Sequence, residues 1–169
     1  MDQVISVLEE LVEQKIITDF VIGGATALIY YSSPTFTEDI DVFIYPEGQS
    51  GIIIDLSPLY DYLKEKKNAS QSEEYIFLEG FPLQFLVPYD ELTREAFEKP
   101  VKISLRNSEF KIFGLEYLMA IMIQLKKKKY LDRLRVLIEE KSFDEEELNS
   151  ILERFSLKRD WESLKERLS

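Results

Sequence analysis

The chain has 169 residues, a length that suits one domain, or one domain with a small appendage, built around a single hydrophobic core. The absence of cysteine and histidine excludes disulfides, thiolate nucleophiles, zinc sites built on thiolates, and the imidazole base of most serine or cysteine triads. A formal charge of −11 argues against general binding to DNA, other nucleic acids or anionic membranes.

The first residues and the apolar runs of the chain predict a cytoplasmic protein. The first residues include no basic segment ahead of an apolar stretch, and no apolar run approaches the roughly 18 residues of a membrane span. Charge is uneven, with 6 Lys and Arg against 19 Asp and Glu in residues 1–100, and 15 against 13 in residues 101–169. The acidic part suits bound cations. The lysine run at 126–129, with Arg133 and Arg135, could face an anion, although a solvated helix face is the plainer interpretation and the favoured one.

The first part of the chain alternates helical and β-rich patterns. In order, the patterns predict a helix over 2–14 with Asp2 as N-cap, a strand over 16–22, a helix over 25–31, a loop over 32–38, and a strand over 39–45. Gly23 and Gly24 form the turn between the first strand and the second helix. The second strand is apolar on both faces except for Asp39 and Asp41, which indicates that it is buried.

After residue 45, the patterns predict a helix within 52–67, interrupted by Pro58 and followed by a polar loop. Strands 75–78 and 83–87 are predicted to form a hairpin, followed by a helix over 91–97. A second hairpin is predicted from strands 101–105 and 110–113, with its turn about Asn107 and Ser108, and helices follow from Gly114 onward. The sequence therefore predicts an α/β (α+β) fold. We expect a small mixed sheet with flanking helices over residues 1–113, and a C-terminal helical region over residues 114–169 packed on that core.

Asp39 and Asp41 are the strongest candidates for chemistry. Because side chains alternate faces along a strand, the two carboxylates point the same way, with Cα atoms about 6–7 Å apart. Two carboxylates on an otherwise apolar strand repel each other and resist burial unless a cation or a basic partner neutralises them. Magnesium, or manganese in its place, is the natural candidate, because it prefers hard oxygen ligands and shares them with substrate phosphates.

The turn at Gly23 and Gly24 supplies a complementary feature. Glycines at the entry to a helix let backbone N–H groups approach a phosphate closely, although the same pair could be only a tight turn. A glycine pair or an Asp-x-Asp pattern alone is a weak signal. Their order on strand, turn, helix, loop and strand strengthens it.

Together, the runs FVIGGA at 20–25 and TEDIDV at 37–42 resemble the signature of the nucleotidyltransferase superfamily, and more narrowly its small prokaryotic branch with the AbiEii-type toxin nucleotidyltransferases. The resemblance covers residues 1–45 well. It implies transfer of a nucleoside monophosphate from an NTP to a hydroxyl on a small molecule, protein or RNA. It further implies that Gly23, Gly24 and Thr37 contact the nucleotide and that Asp39 and Asp41 bind the metal.

The sequence departs from that family at three residue positions, and the 14 residues between Gly24 and Asp39 are near or slightly beyond the long end of the usual gap. The strand position expected to carry a third carboxylate holds Gln84, which can offer a carbonyl oxygen but no anionic ligand or base. Glu79 could replace it, although it is more simply a charge flanking a turn. Thr35 stands where relatives often have a basic residue, and Met122 stands where they often have a lysine. Lys127 or Lys129 could reach the nucleotide from nearby.

Two other classes of function stay open. Gln84 favours a catalytically degenerate module of the same fold that binds a nucleotide or a partner protein, for example as half of a toxin–antitoxin pair. A structural interaction protein would instead use its C-terminal helices, and apolar exposure around Trp161 would favour it. The aromatic residues near the sheet, Tyr30, Tyr31, Phe36 and Tyr45, could stack on a base but more simply belong to the core.

Overall fold

The computed structural model describes residues 1–32, 37, 39–49, 53–105 and 108–168. Its helices are α1 (Asp2–Glu13), α2 (Gly24–Leu28), α3 (Ser57–Lys67), α4 (Glu91–Glu98), α5 (Leu115–Leu125), α6 (Lys128–Glu140), α7 (Glu145–Arg154) and α8 (Lys158–Leu168). Its strands are β1 (Ile17–Ile22), β2 (Ile40–Pro46), β3 (Ser70–Ser72), β4 (Tyr75–Leu78), β5 (Phe81–Leu86), β6 (Val101–Leu105) and β7 (Ser108–Ile112).

These strands form one mixed sheet in the order β3-β4-β5-β2-β1-β7-β6. Strand β2 lies at its centre, antiparallel to β1 and parallel to β5. The central position explains why β2 is apolar on both faces, since helices or neighbouring elements cover both sides. The predicted fold class, a mixed sheet with flanking helices and a helical C-terminal region, is confirmed.

Among the described residues, one hydrophobic cluster joins the sheet to the C-terminal helices. It runs from Val4 in α1 through the sheet to Leu164 in α8. Helix α5 is its C-terminal centre, with Met119, Ala120 and Ile123 fully buried and with neighbours in α2, α4, α6, α7 and α8. Within the described part of the chain, no helix combines the length and the apolar character needed to cross a membrane.

Several element boundaries differ from the sequence prediction. Helix α2 ends at Leu28 and not at residue 31, and Asp2 lies in the first turn of α1, whose N-cap is Met1. Pro58 does not interrupt α3. It lies in the first turn, where the missing N–H of proline has no helical partner to lose.

The hairpin of β4 and β5 is tighter than predicted. Leu78 pairs with Phe81, so that only Glu79 and Gly80 form the turn, with φ values of 52° and 82°. Two positive φ angles match the twist of the flanking strands and allow a two-residue turn. The segment predicted as a polar loop before it contains the edge strand β3, which no apolar pattern reveals because all three of its residues are exposed.

Other predictions fall outside the described residues. These are most of the loop over 32–38, including Thr35 and Phe36, the start of the predicted helix at Ile52, and Asn107 in the second hairpin turn.

Candidate functional site

One cavity of about 910 Å³ gathers most of the residues that the sequence singles out. Its lining includes Gly24, Thr37, Asp39, Asp41, Gln84, Met122, Lys127 and Lys129. Gly23 and Glu79 are described residues that do not line it. Glu79 lies instead in the exposed turn between β4 and β5, which leaves it as a charge flanking that turn.

Strand register brings Gln84 to Asp41. The parallel pairing of β2 and β5 sets Asp41 opposite Gln84, and the antiparallel pairing of β4 and β5 sets Gln84 opposite Tyr75. Directly opposed residues of neighbouring strands project from the same face of a sheet. Tyr75, Gln84 and Asp41 therefore form a row across three strands, and a neutral amide stands beside the Asp41 carboxylate.

The glycine turn packs directly on β2. The Gly23 N–H donates a hydrogen bond of 2.9 Å to the Asp41 carbonyl oxygen, which fixes the turn to the strand. A Cβ atom at Gly24 would lie 1.7 Å from Asp41 Oδ2, and Gly24 has a φ of +56°. A Cβ atom at Gly23 would lie 2.6 Å from the Phe43 ring. Neighbouring side chains thus leave little room for a Cβ atom at either glycine. The Asp41 carboxylate rests against the backbone of Gly24.

Two threonines hold Asp39 in place just before β2 begins. Thr26 Oγ1 donates to the Asp39 carbonyl oxygen at 3.0 Å. Thr37 Oγ1 donates to the same carbonyl at 2.8 Å and lies 3.2 Å from Asp39 Oδ1. Thr37 therefore orients the carboxylate, a contact that the sequence pattern alone does not show. The buried Thr26 is a supporting residue that the sequence analysis missed.

The Asp41 carboxylate is in an environment that disfavours its charge. Burial and the charge of Asp39 raise the pKa of Asp41 to about 6, and Lys129, Arg133 and Lys127 oppose that rise. At neutral pH the Asp41 carboxylate is ionised at an energetic cost to the folded state, because burial and a like charge both disfavour that form. A cation bound between the two carboxylates would remove this cost.

Helix α6 and the residue before it supply the positive charge of the cavity. Lys127 is the N-cap of α6, and Lys129 and Arg133 lie one helical turn apart on the face toward the cavity. The remaining cations of this segment lie elsewhere, with Lys126 paired to Asp160 at 2.8 Å and Arg135 to Asp132 at 3.4 Å. The lysine run is thus divided between the cavity and the surface.

No model of a known protein family matches the chain, and no curated protein matches it in sequence. In structure the chain is similar to an antigenic nucleotidyltransferase-like protein from Paracoccidioides brasiliensis. That similarity has a TM-score of 0.57 and 17% sequence identity, and it covers 96% of this chain and 92% of the other. The fold is nucleotidyltransferase-like.

Three carboxylates line the cavity of this nucleotidyltransferase-like fold: Asp39, Asp41 and Glu74. Among the residues that the structure describes, no three acidic side chains are grouped to hold a metal ion. Asp39 and Asp41 alone still fit magnesium, which is commonly held by one or two carboxylates together with substrate phosphates. Both line the same cavity as the three cations, which suits a ligand that carries phosphates and a metal together.

Sequence reasoning missed the aromatic side chains of this cavity, notably Tyr75, Tyr89 and Tyr130. The aromatic residues named from the sequence have other contacts where the structure describes them. Tyr30 packs edge-on against Phe110, Tyr31 donates to the Phe113 carbonyl at 2.9 Å, and Tyr45 packs edge-on against Phe97. A two-residue turn at 79–80 would have revealed Tyr75, because it fixes the register that sets Tyr75 opposite Gln84.

Proposed function

We propose that the protein transfers a nucleoside monophosphate from an NTP, bound with magnesium or manganese, to a hydroxyl acceptor. The observation that carries this proposal is the common cavity of Asp39, Asp41, the Gly24 backbone and the cations of α6. A metal–triphosphate ligand has both the positive and the negative charge that such a site requires. The nucleotidyltransferase-like fold supports the same reaction type.

The acidic and the basic residues of the cavity have different proposed roles. Asp39 and Asp41 would hold the metal, which when bound supplies charge neutralisation and orientation to the phosphates. Lys127, Lys129 and Arg133 would stabilise the negative charge of the triphosphate and of the leaving pyrophosphate. Thr37 keeps Asp39 oriented through its hydrogen bonds.

The glycines contribute in different ways. The Gly23 N–H is engaged by the Asp41 carbonyl, so we assign the approach of the phosphates to Gly24, which lines the cavity. Helix α2 has only five residues, and the contribution of its dipole to phosphate binding is correspondingly small. The backbone geometry of the turn, more than the helix, supports this role.

Gln84 supports one alternative, a nucleotide-binding module of the AbiEii-type branch that has lost turnover and acts on a partner protein in a toxin–antitoxin pair. A neutral amide beside Asp41 provides no base for an acceptor hydroxyl. A purely structural role for the C-terminal helices is less well supported, because Trp161 and Leu164 are buried at 5% and 6% exposure. Both the transfer reaction and the binding module would act in the cytoplasm.

A thermal-shift titration with the four NTPs, each with and without magnesium, tests the proposal. We expect at least one Mg-NTP to raise the melting temperature of the wild type by mass action. Asp39→Asn and Asp41→Asn should each abolish that rise while leaving the fold intact. Without ligand, Asp41→Asn should be at least as stable as the wild type near neutral pH, because it removes a disfavoured charge.

The matched control is Asp61→Asn, which makes the same charge change at an exposed position of α3. It should respond to Mg-NTP like the wild type. If the Asp39 and Asp41 variants also respond like the wild type, the site is misplaced. Pyrophosphate release then separates the two candidate functions, since a binding module would show the thermal shift without release.

A further inference from the structure

Tyr75 has a special position in the cavity. It stands in the row with Gln84 and Asp41, two strands away from β2, and strand spacing of about 4.8 Å places its Cα roughly 10 Å from that of Asp41. Its side chain is half-buried and lines the cavity with both carboxylates. The longest side chain of the row therefore extends from the far strand toward the proposed metal ligands.

The charge of Asp39 acts on the Tyr75 hydroxyl. The charge of Asp39 raises the pKa of Tyr75, and burial, the charge of Glu74, a hydrogen bond to the Asp39 side chain and the charge of Asp41 act in the same direction. In Tyr89 and Tyr130, which line the same cavity, burial is the main cause of a raised pKa. Of these three cavity tyrosines, Tyr75 is the one whose pKa is raised mainly by the charge of Asp39.

We propose that Tyr75 is itself an acceptor hydroxyl, so that the protein attaches a nucleoside monophosphate to its own chain. This inference rests on the proposed function. The Tyr75 Oη attacks the α-phosphorus of the NTP, a phosphorus–oxygen ester bond forms, and the bond from the α-phosphorus to the bridging oxygen of the pyrophosphate breaks. Pyrophosphate leaves, and the phenolic proton passes through the Asp39 carboxylate to solvent.

The geometry explains why this hydroxyl would react without a carboxylate at position 84. Positioning and charge neutralisation supply most of the catalysis in phosphoryl transfer, and Asp39 lines the same cavity as the hydroxyl that must lose its proton. Gln84, which stands between Tyr75 and Asp41, adds no further negative charge beside the incoming phosphate. The attached nucleotide would occupy the cavity, so one round of modification would block further nucleotide binding.

Intact-mass and peptide mass spectrometry test the modification. The wild type is incubated with each of the four NTPs and magnesium, in parallel with Tyr75→Phe, Asp41→Asn and the control Tyr60→Phe, which lies outside the cavity lining. We expect the wild type and Tyr60→Phe to gain the mass of one nucleoside monophosphate on the peptide that contains residue 75. Tyr75→Phe should gain none, yet should keep the thermal shift with Mg-NTP, and Asp41→Asn should lose both.

A second measurement needs no turnover. An NTP analogue with a methylene group between the α- and β-phosphorus atoms cannot transfer its nucleotide, and with magnesium it should shield Tyr75 from nitration by tetranitromethane. A thermal shift without any adduct at residue 75, or with equal nitration in both states, overturns this inference and leaves the proposed function standing. If no NTP shifts the melting temperature, the proposed function and this inference both fail.

Discussion

Gly24 combines two constraints that disfavour any other residue. Its φ of +56° lies in the left-handed region, and a Cβ atom would fall 1.7 Å from Asp41 Oδ2. The first constraint concerns the backbone alone, whereas the second links the glycine turn to the proposed metal ligand. The two can be separated, because Gly48 has a φ of +68° and no heavy atom within 4 Å of the position of its Cβ.

We therefore expect Gly48→Ala to cost about 1–2 kcal/mol of unfolding free energy, from the backbone alone. Gly24→Ala should cost roughly 1–3 kcal/mol more, because the new methyl group must displace the Asp41 carboxylate. Urea unfolding measures both changes. In an Asp41→Ala background the extra cost of Gly24→Ala should largely disappear, and an unchanged cost would show that the carboxylate does not rest on the turn.

The junction between α5 and α6 places four similar lysines in different surroundings. Four consecutive lysines at 126–129 are indistinguishable in the sequence, yet Lys127 and Lys129 line the cavity while Lys128 does not. Lys126 has a left-handed conformation with a φ of 52° and ends α5, so the chain changes direction within the run. We therefore expect the contribution of each lysine to ligand binding to depend on its position at the junction of α5 and α6.

Lys129→Gln and Lys128→Gln make the same charge change at adjacent positions and form a matched pair. We expect Lys129→Gln to weaken binding of Mg-NTP about tenfold, which corresponds to about 1.4 kcal/mol. It should also reduce the salt dependence of binding, because one phosphate contact is lost. Lys128→Gln should change affinity less than twofold in the same isothermal titration. If the two variants weaken binding equally, the four lysines act on the ligand only through their total positive charge and not through individual contacts.

The sequence patterns predicted the strands, turn and helix that carry the aspartates and glycines of the site. They did not predict which other residues line the cavity. Alternation along β2 and the glycine pair at the start of α2 are local signals, and the structure has strand, turn, helix and strand in that order. The parallel pairing of β2 with β5 joins residues 43 positions apart, so the partner of Asp41 is set by the tertiary fold. The same is true of Tyr75, and of the lysines that α5 and α6 bring to the cavity.

At the scale of the whole molecule, a polar cluster around Glu95 fastens the C-terminal helices to α4. Arg154 of α7 donates to Glu95 Oε2 at 2.7 Å, and the Tyr117 hydroxyl of α5 and Lys99 also donate to this carboxylate. Burial alone would raise the pKa of Glu95, but these hydrogen bonds outweigh it and lower the pKa to about 2. One ionised side chain thus joins three helices.

A lowered pKa in the folded state implies stability that is present above the unfolded pKa of 4.5 and is lost as the pH falls toward about 2. Glu95→Gln should therefore lower the free energy of unfolding by about 1–2 kcal/mol at pH 7. This is less than the full shift implies, since the Glu95 side chain is 21% exposed and solvent screens part of the interaction. Near pH 3 the difference between variant and wild type should shrink.

The control for this experiment is Glu153→Gln, which makes the same charge change in an exposed ion pair with Lys158 at 3.1 Å. Exposed pairs contribute about 0–1 kcal/mol, so this variant should unfold close to the wild type at both pH values. Urea denaturation followed by circular dichroism measures all three proteins. If Glu95→Gln and Glu153→Gln lose the same stability with the same pH profile, the Glu95 cluster does not fasten the helices. The attachment would then depend on the apolar contacts of α5 and α7 alone.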